Sequence, residues 1–250
     1  MIHLEKIDLE NSNLRELPEW IGKLVGLKEI NLKNTLMNHL SSSMKNLGLL
    51  EILVLEGMKL LRVNQISSFI NEKSLTALNL CKTGFSEISN LKKFNKLEIL
   101  GLAGNSIKDI SDLKHLRNLR TLNISGNDYS KIEGLENLTN LEALDIDLIE
   151  IDGLQNLSKL KNLTINYTDE VKPLLDKLGG IWEEKEGTEY VVNYPQKVVE
   201  FCRKKRYPIE KFEREYIEEN LSDVSLLVLE GLCRDGSKKA RELIDKLEKI

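Results

Sequence analysis

Between residues 4 and 165 the aliphatic residues recur in one short frame, L-x-x-L-x-L, and not with the 3.6-residue period of an amphipathic helix. The frame occurs at Leu4-Ile7-Leu9, Leu27-Ile30-Leu32, Leu50-Leu53-Leu55 and Leu75-Leu78-Leu80. It continues at Leu97-Leu100-Leu102, Leu119-Leu122-Ile124, Leu141-Leu144-Ile146 and Leu160-Leu163-Ile165. Starts at 4, 27, 50, 75, 97, 119, 141 and 160 are separated by 23, 23, 25, 22, 22, 22 and 19 residues. The last two aliphatics of each triplet lie two apart, so both point to one side of a short strand while their neighbours point to the other. A single coil of this length cannot bury its own aliphatic row. Stacked coils share one core, with their strands paired in parallel. The pattern predicts an α/β solenoid of eight coils over residues 1–168, with a parallel sheet lining its concave wall.

This frame resembles the leucine-rich-repeat family. The run from Leu97 to Leu154, which begins LEILGLAGNSIKDI, is similar to the 22-residue subtype of bacterial internalins and of a eukaryotic phosphatase regulatory subunit. The first coil, with Leu14, Leu17-Pro18, Ile21 and Leu24, resembles the 23-residue LxxLPxxIxxL subtype, so the solenoid is mixed. The resemblance implies a horseshoe that binds a partner protein on its concave face and catalyses nothing itself. It also implies an Asn at frame position nine whose amide bonds the backbone of neighbouring turns. Asn105 and Asn127 stand there, but Ser12, Thr35, Met58, Thr83, Ile149 and Thr168 take the place elsewhere. Ser and Thr make a weaker version of that bond, and Met58 and Ile149 make none. The third and seventh coils are therefore expected to be irregular.

Frame positions three, five and seven should face solvent on the concave sheet. At the ends of the stack they are polar: Lys6, Asp8 and Glu10, then Glu29, Asn31 and Lys33, and at the far end Asn162, Thr164 and Asn166. In the middle they include Ile52, Val54, Ala77, Asn79, Ile99, Gly101 and Ala103, followed by Thr121, Asn123, Ala143 and Asp145. An apolar centre with a polar rim is the form of a docking surface. The plainer reading is that β-branched residues suit strands. We take Ile52, Val54, Ala77, Asn79, Ile99, Gly101, Thr121, Asn123 and Asp145 as the candidate partner-binding residues. Asp145 and Asp147, with Glu142 nearby, would suit a basic partner segment, but a solvated rim is the preferred reading of them. Cys81 falls on the same face as an exposed thiol, with no base beside it to activate it.

After Ile165 the frame is lost. Residues 169–194 read as a cap: a short helix from Asp169 to Leu178, then a β-hairpin from Ile181–Glu184 and Glu189–Val192 that would cover the open sheet edge. Residues 195–250 read as a helical tail packed on the solenoid, with helices at Pro195–Arg206, Pro208–Asn220, Asp223–Cys233 and Ser237–Lys249. Trp182 and Tyr190 read as cap packing. Arg203-Lys204-Lys205-Arg206 reads as the cationic last turn of a helix.

Composition narrows the function classes. A net charge of −4 over 250 residues gives no bulk drive toward nucleic acid or a membrane surface. No apolar run approaches the roughly 18–20 residues of a membrane span. Cys81, Cys202 and Cys233 are too few and too scattered for a disulfide framework, and the first residues have no signal-like segment, so a cytoplasmic protein is expected. His3, His39 and His115 stand apart without metal-ligand spacing, and no phosphate loop, dinucleotide fingerprint or nucleophile elbow is present, so no cofactor or metal is expected. Cys233 and Asp235 share two residue types with the helical ubiquitin-ligase domains of some bacterial leucine-rich-repeat proteins. The tail is too short for such a domain, and Cys233 reads as core. The sequence thus points to a protein-binding module, or alternatively to the recognition segment of a larger receptor or secreted bacterial effector. Leu4 already lies in a coil, so its edge is expected to be bare and the chain a monomer or a weak dimer through it.

Overall fold

Each frame becomes one short strand in the computed structural model, which describes residues 4–37, 39–58, 66–147, 154, 156–166, 182–185 and 189–192. The strands are β1 (Lys6–Asp8), β2 (Glu29–Asn31), β3 (Ile52–Val54), β4 (Ala77–Asn79), β5 (Ile99–Gly101), β6 (Thr121–Asn123), β7 (Ala143–Ile146) and β8 (Asn162–Asn166). They pair in parallel and in sequence order. The register matches frame position to frame position, so Ile30, Leu53, Leu78, Leu100, Leu122 and Leu144 form one line across the sheet. These residues are buried, as are the aliphatics at frame positions one and six in coils two to eight. The concave wall thus turns one side of each strand to the core and the other outward.

The strands are short because the chain turns sharply two residues after the last frame aliphatic. The residue at frame position eight is left-handed in all of the first six coils: Asn11, Asn34, Gly57, Lys82, Gly104 and Gly126, with φ between 55° and 77°. Asn and Gly tolerate that conformation, and Lys82 is the exception. The N–H groups of Asn11, Asn34, Gly57, Lys82 and Gly104 each donate to the carbonyl of frame position seven in the next coil, at 2.8–2.9 Å. The corner is therefore also a joint between coils.

Frame position nine then fastens the turn. Asn105 is buried, and its Oδ1 accepts from the N–H groups of Thr83, Gly84 and Phe85. Its Nδ2 donates to the carbonyls of Leu80 and Leu102. Asn127 repeats the pattern toward Ile107, Leu102 and Ile124. The hydroxyls of Thr35 and Thr83 donate to the carbonyl three residues back in their own coil, at 2.9 and 2.6 Å, and the Thr83 hydroxyl also lies 3.3 Å from Asn105 Oδ1 in the next coil. Ser12 departs from the bond expected of serine: its Oγ is buried without a hydrogen-bond partner. Met58 fills its place as an apolar side chain, 1% exposed.

The convex side returns the chain through 3-10 turns at Glu19–Lys23, Ser42–Asn46, Ser89–Lys93, Ser111–His115 and Leu135–Asn137. Each drives one apolar residue into the core: Ile21, Met44, Leu91, Leu113 and Leu135. The third coil differs, returning through a single α-helical turn, α1 (Ile66–Phe69), as its longer spacing and its Met58 led us to expect. The irregularity expected near Ile149 falls outside the described residues.

Beyond β8 the sheet reverses direction. A hairpin of β9 (Trp182–Lys185) and β10 (Glu189–Val192) is antiparallel, and β10 pairs antiparallel with β8, placing Tyr190 opposite Ile165. The last parallel strand therefore has a paired edge, as the sequence led us to expect. The short helix from Asp169 and the helical tail from Pro195 lie outside the described residues, as do Cys202, the basic run at 203–206 and Cys233. At the other end Leu4 is 38% exposed, and Ile7, Leu9, Leu14 and Leu24 are only partly buried.

Candidate functional site

Four rows of side chains run across the stack on and beside the concave wall, one each from frame positions two, three, five and seven. They follow from the register: residues at the same frame position sit on adjacent strands about 4.8 Å apart. The row at position three begins with an ion pair, Lys6 to Glu29 at 2.7 Å, which raises the Lys6 pKa through hydrogen bonding and charge. It then becomes Ile52, Ala77, Ile99, Thr121 and Ala143, paired in that order. Ile52 is 36% and Ile99 50% exposed, with the small Ala77 between them. This makes a notch about 10 Å wide, walled by two isoleucines.

The row at position five is polar and repeats with every second strand. Asn31, Asn79 and Asn123 each accept the N–H two residues ahead, from Lys33, Cys81 and Ser125, which holds the strand exit in a tight turn. Their amides donate to acids in the preceding or following coil: Asn31 to Asp8 and Glu10, Asn79 to Glu56, and Asn123 to Asp145. Val54 and Gly101 stand between them, both half-buried. A Cβ on Gly101 would come within 2.9 Å of both Asn79 Oδ1 and Cys81 Sγ, so glycine there makes room for its neighbours.

At position two the charges alternate. Lys28 pairs with Glu5 at 3.0 Å. Arg120 bridges Glu98 at 3.5 Å and Glu142 at 2.9 Å, and Lys161 reaches Glu142 at 2.6 Å. The Lys161 ammonium and then Arg120 hold the Glu142 carboxyl below its usual range. At position seven, Lys33 lies 3.4 Å from Glu56 and 4.0 Å from Glu10. Asp147 accepts from the N–H groups of Gly126 and Asn127.

The nine candidate residues therefore share one wall, but they are not equivalent. Ile52, Ile99 and Thr121 are the most open; Val54, Ala77, Asn79, Gly101, Asn123 and Asp145 are half-buried. Asn79, Gly101 and Asn123 are partly structural.

The comparisons agree with this geometry. The family model for leucine-rich repeats (two copies) matches residues 96–137. No curated protein matches the chain in sequence. Among solved structures, internalin C2 of Listeria monocytogenes is 26% identical with a TM-score of 0.54, over 62% of this chain and 68% of that one. The chain has a leucine-rich-repeat fold, with a family match at residues 96–137. A second Listeria monocytogenes internalin, inlF, is 20% identical with a TM-score of 0.52, over 65% of this chain and 54% of its own. A plant peptide hormone receptor, RGFR1 in complex with RGF2, has the same fold at 23% identity and a TM-score of 0.54, over 66% of this chain and 28% of the receptor chain.

The leucine-rich-repeat fold is generally a protein–protein interaction module, and its domains are typically non-catalytic. Cys81 fits that description. It was expected as an exposed thiol, but it is half-buried beside Gly101, and burial pushes its pKa up. A raised thiol pKa disfavours the nucleophilic thiolate. Among the described residues no group of His, Cys, Asp and Glu is arranged to hold a metal ion, and no helix is long and apolar enough to cross a membrane. The position-two charge row went unread in the sequence, although its signal was there: Glu98, Arg120, Glu142 and Lys161 alternate in sign at one frame position.

Proposed function

We propose that this leucine-rich-repeat chain is a binding module that docks a partner protein on its concave wall, across Ile52, Val54, Ala77, Ile99 and Thr121. One observation carries the reading: Ile52 and Ile99 stand exposed on a sheet face whose ends are polar, flanking a small residue. Exposed β-branched residues suit strands, but Ala does not, so strand preference leaves Ala77 unexplained. A small-lined notch between two aliphatic walls is a feature of docking surfaces. Asn79, Asn123 and Asp145 supply its polar border.

The test is affinity capture from the source lysate with the wild-type chain, an Ile52→Asp/Ile99→Asp double variant and a convex control, Lys92→Glu. Proteins held by the wild type and the control but lost from the double variant are the expected result. Identical capture by all three, with unchanged thermal melting, would overturn the proposal.

A further inference from the structure

The charge on the concave wall is unbalanced in a way that the whole chain is not. Across frame positions two, three, five and seven of the eight coils there are ten acidic and five basic side chains, a surplus of five negative charges. The whole chain carries −4, so all its other residues together sum to +1. The five cations are also already engaged. Lys6 pairs with Glu29, Lys28 with Glu5, Lys33 with Glu56, Arg120 with Glu98 and Glu142, and Lys161 with Glu142. What remains for an incoming molecule is acidic.

The position of that surplus matters more than its size. Glu51 sits at the entrance of β3, next to Ile52, and is exposed. Among the described residues it has no cation partner: its counterpart in the next coil is Thr76, which donates to the Glu51 backbone carbonyl. Asp145, two strands beyond Gly101, is held by the Asn123 amide and likewise has no cation partner among the described residues. The two carboxylates therefore lie on opposite sides of the apolar row, one before the notch at Ala77 and one after it. Field from acids beside a low-dielectric apolar surface is focused, not spread.

We infer that the partner presents a basic segment: an aliphatic or aromatic side chain that enters the Ala77 notch between Ile52 and Ile99, flanked by Lys or Arg residues that meet Glu51 on one side and Asp145 on the other. This rests on the concave-docking reading and adds the partner's chemistry to it. An acidic segment would meet the surplus head-on, and a purely apolar one would leave both carboxylates desolvated and unpaired.

The experiment selects displayed random 16-residue peptides on the purified full chain, then measures the enriched peptides by fluorescence anisotropy. The variants are Glu51→Lys/Asp145→Lys and, separately, Ile52→Asp/Ile99→Asp, each checked for an unchanged melting curve. The expected peptides are net positive with an apolar residue between basic ones. Binding should weaken by roughly three- to tenfold in the charge variant, and should fall as salt rises past the point where the screening length shrinks below ~8 Å. The isoleucine variant should lose at least tenfold. Neutral or acidic peptides that depend on the isoleucines but not on Glu51 and Asp145 would overturn the basic-partner inference and leave concave docking standing. Peptides indifferent to both variants would overturn both, and a selection that enriches nothing counts against both as well.

Discussion

Tyr129 illustrates how a single side chain closes a coil where the aliphatic frame cannot. Its ring is 4% exposed, and its hydroxyl accepts from the Asp147 N–H at 2.9 Å while lying 3.4 Å from the Asp147 carbonyl. Burial, then the nearby Asp147 charge, raises the phenol above its ordinary value of 10.0, so the fold favours the neutral form. The sign follows from linkage. A group whose pKa is raised on folding contributes stability that is complete below the unfolded pKa and is lost as pH climbs above it. Stability should therefore fall above about pH 10 with a component that Tyr129→Phe removes, at a cost of about 1 kcal/mol near neutrality from the lost hydrogen bond. Urea unfolding of both proteins from pH 7 to 11 checks this; parallel curves throughout that range would refute it. The same residue-level view separates Asn105 from Thr83. The amide bonds backbone groups of two coils, whereas the hydroxyl's shortest bond, at 2.6 Å, runs back into its own coil and its reach to the next is a longer one, 3.3 Å, to Asn105.

At the scale of the coil, the decisive element is the left-handed corner at frame position eight. A Cβ on Gly104 would lie 3.0 Å from the Lys82 Cγ, at a φ of +65°. Gly104→Ala should lower stability by about 1–2 kcal/mol, while Gly104→Asn should cost less than half as much, since Asn11 and Asn34 occupy the same corner. Chemical denaturation ranks the two; if Asn proves the worse, crowding and not backbone conformation controls the site. Much of this coil was legible in the sequence. Triplets such as Leu50-Leu53-Leu55 and Leu97-Leu100-Leu102 place the eight parallel strands and the buried rows beneath them, because strand alternation depends only on local order. The hairpin was legible too, from the β-rich runs around Glu183 and Tyr190. The corner was not read, because Asn11, Gly57 and Lys82 share a conformation and not a residue type. The charge row at Glu98, Arg120 and Glu142 was missed for a related reason. Attention to positions three, five and seven leaves out position two, whose side chains meet only once the coils are stacked.

For the molecule as a whole, stability is approximately a sum of coil terms and coil–coil joints. Asn105 carries one of those joints, binding Thr83, Gly84 and Phe85 of the fourth coil to Leu102 of its own. Asn105→Ala leaves several buried backbone groups without partners, so it should cost about 2–4 kcal/mol and broaden the unfolding transition as the two halves of the stack come apart. Tryptophan fluorescence and far-UV circular dichroism recorded together give the test, since Trp20 and Trp182 lie on opposite sides of the joint. Coincident, unshifted transitions would contradict it.

The corners also set the terms on which such a chain varies over generations. In the first six coils the strand ends in a left-handed residue at the same frame position, and in the first five that residue hands its N–H to the neighbour's backbone in the same way, Gly126 giving its own to the Asp147 carboxylate instead. Any of those coils can therefore follow any other without a new kind of bend. A duplicated coil enters as a complete unit and widens the wall by about 4.8 Å. The side chains facing outward stay open to selection one row at a time, while the hinge between coils is inherited unchanged.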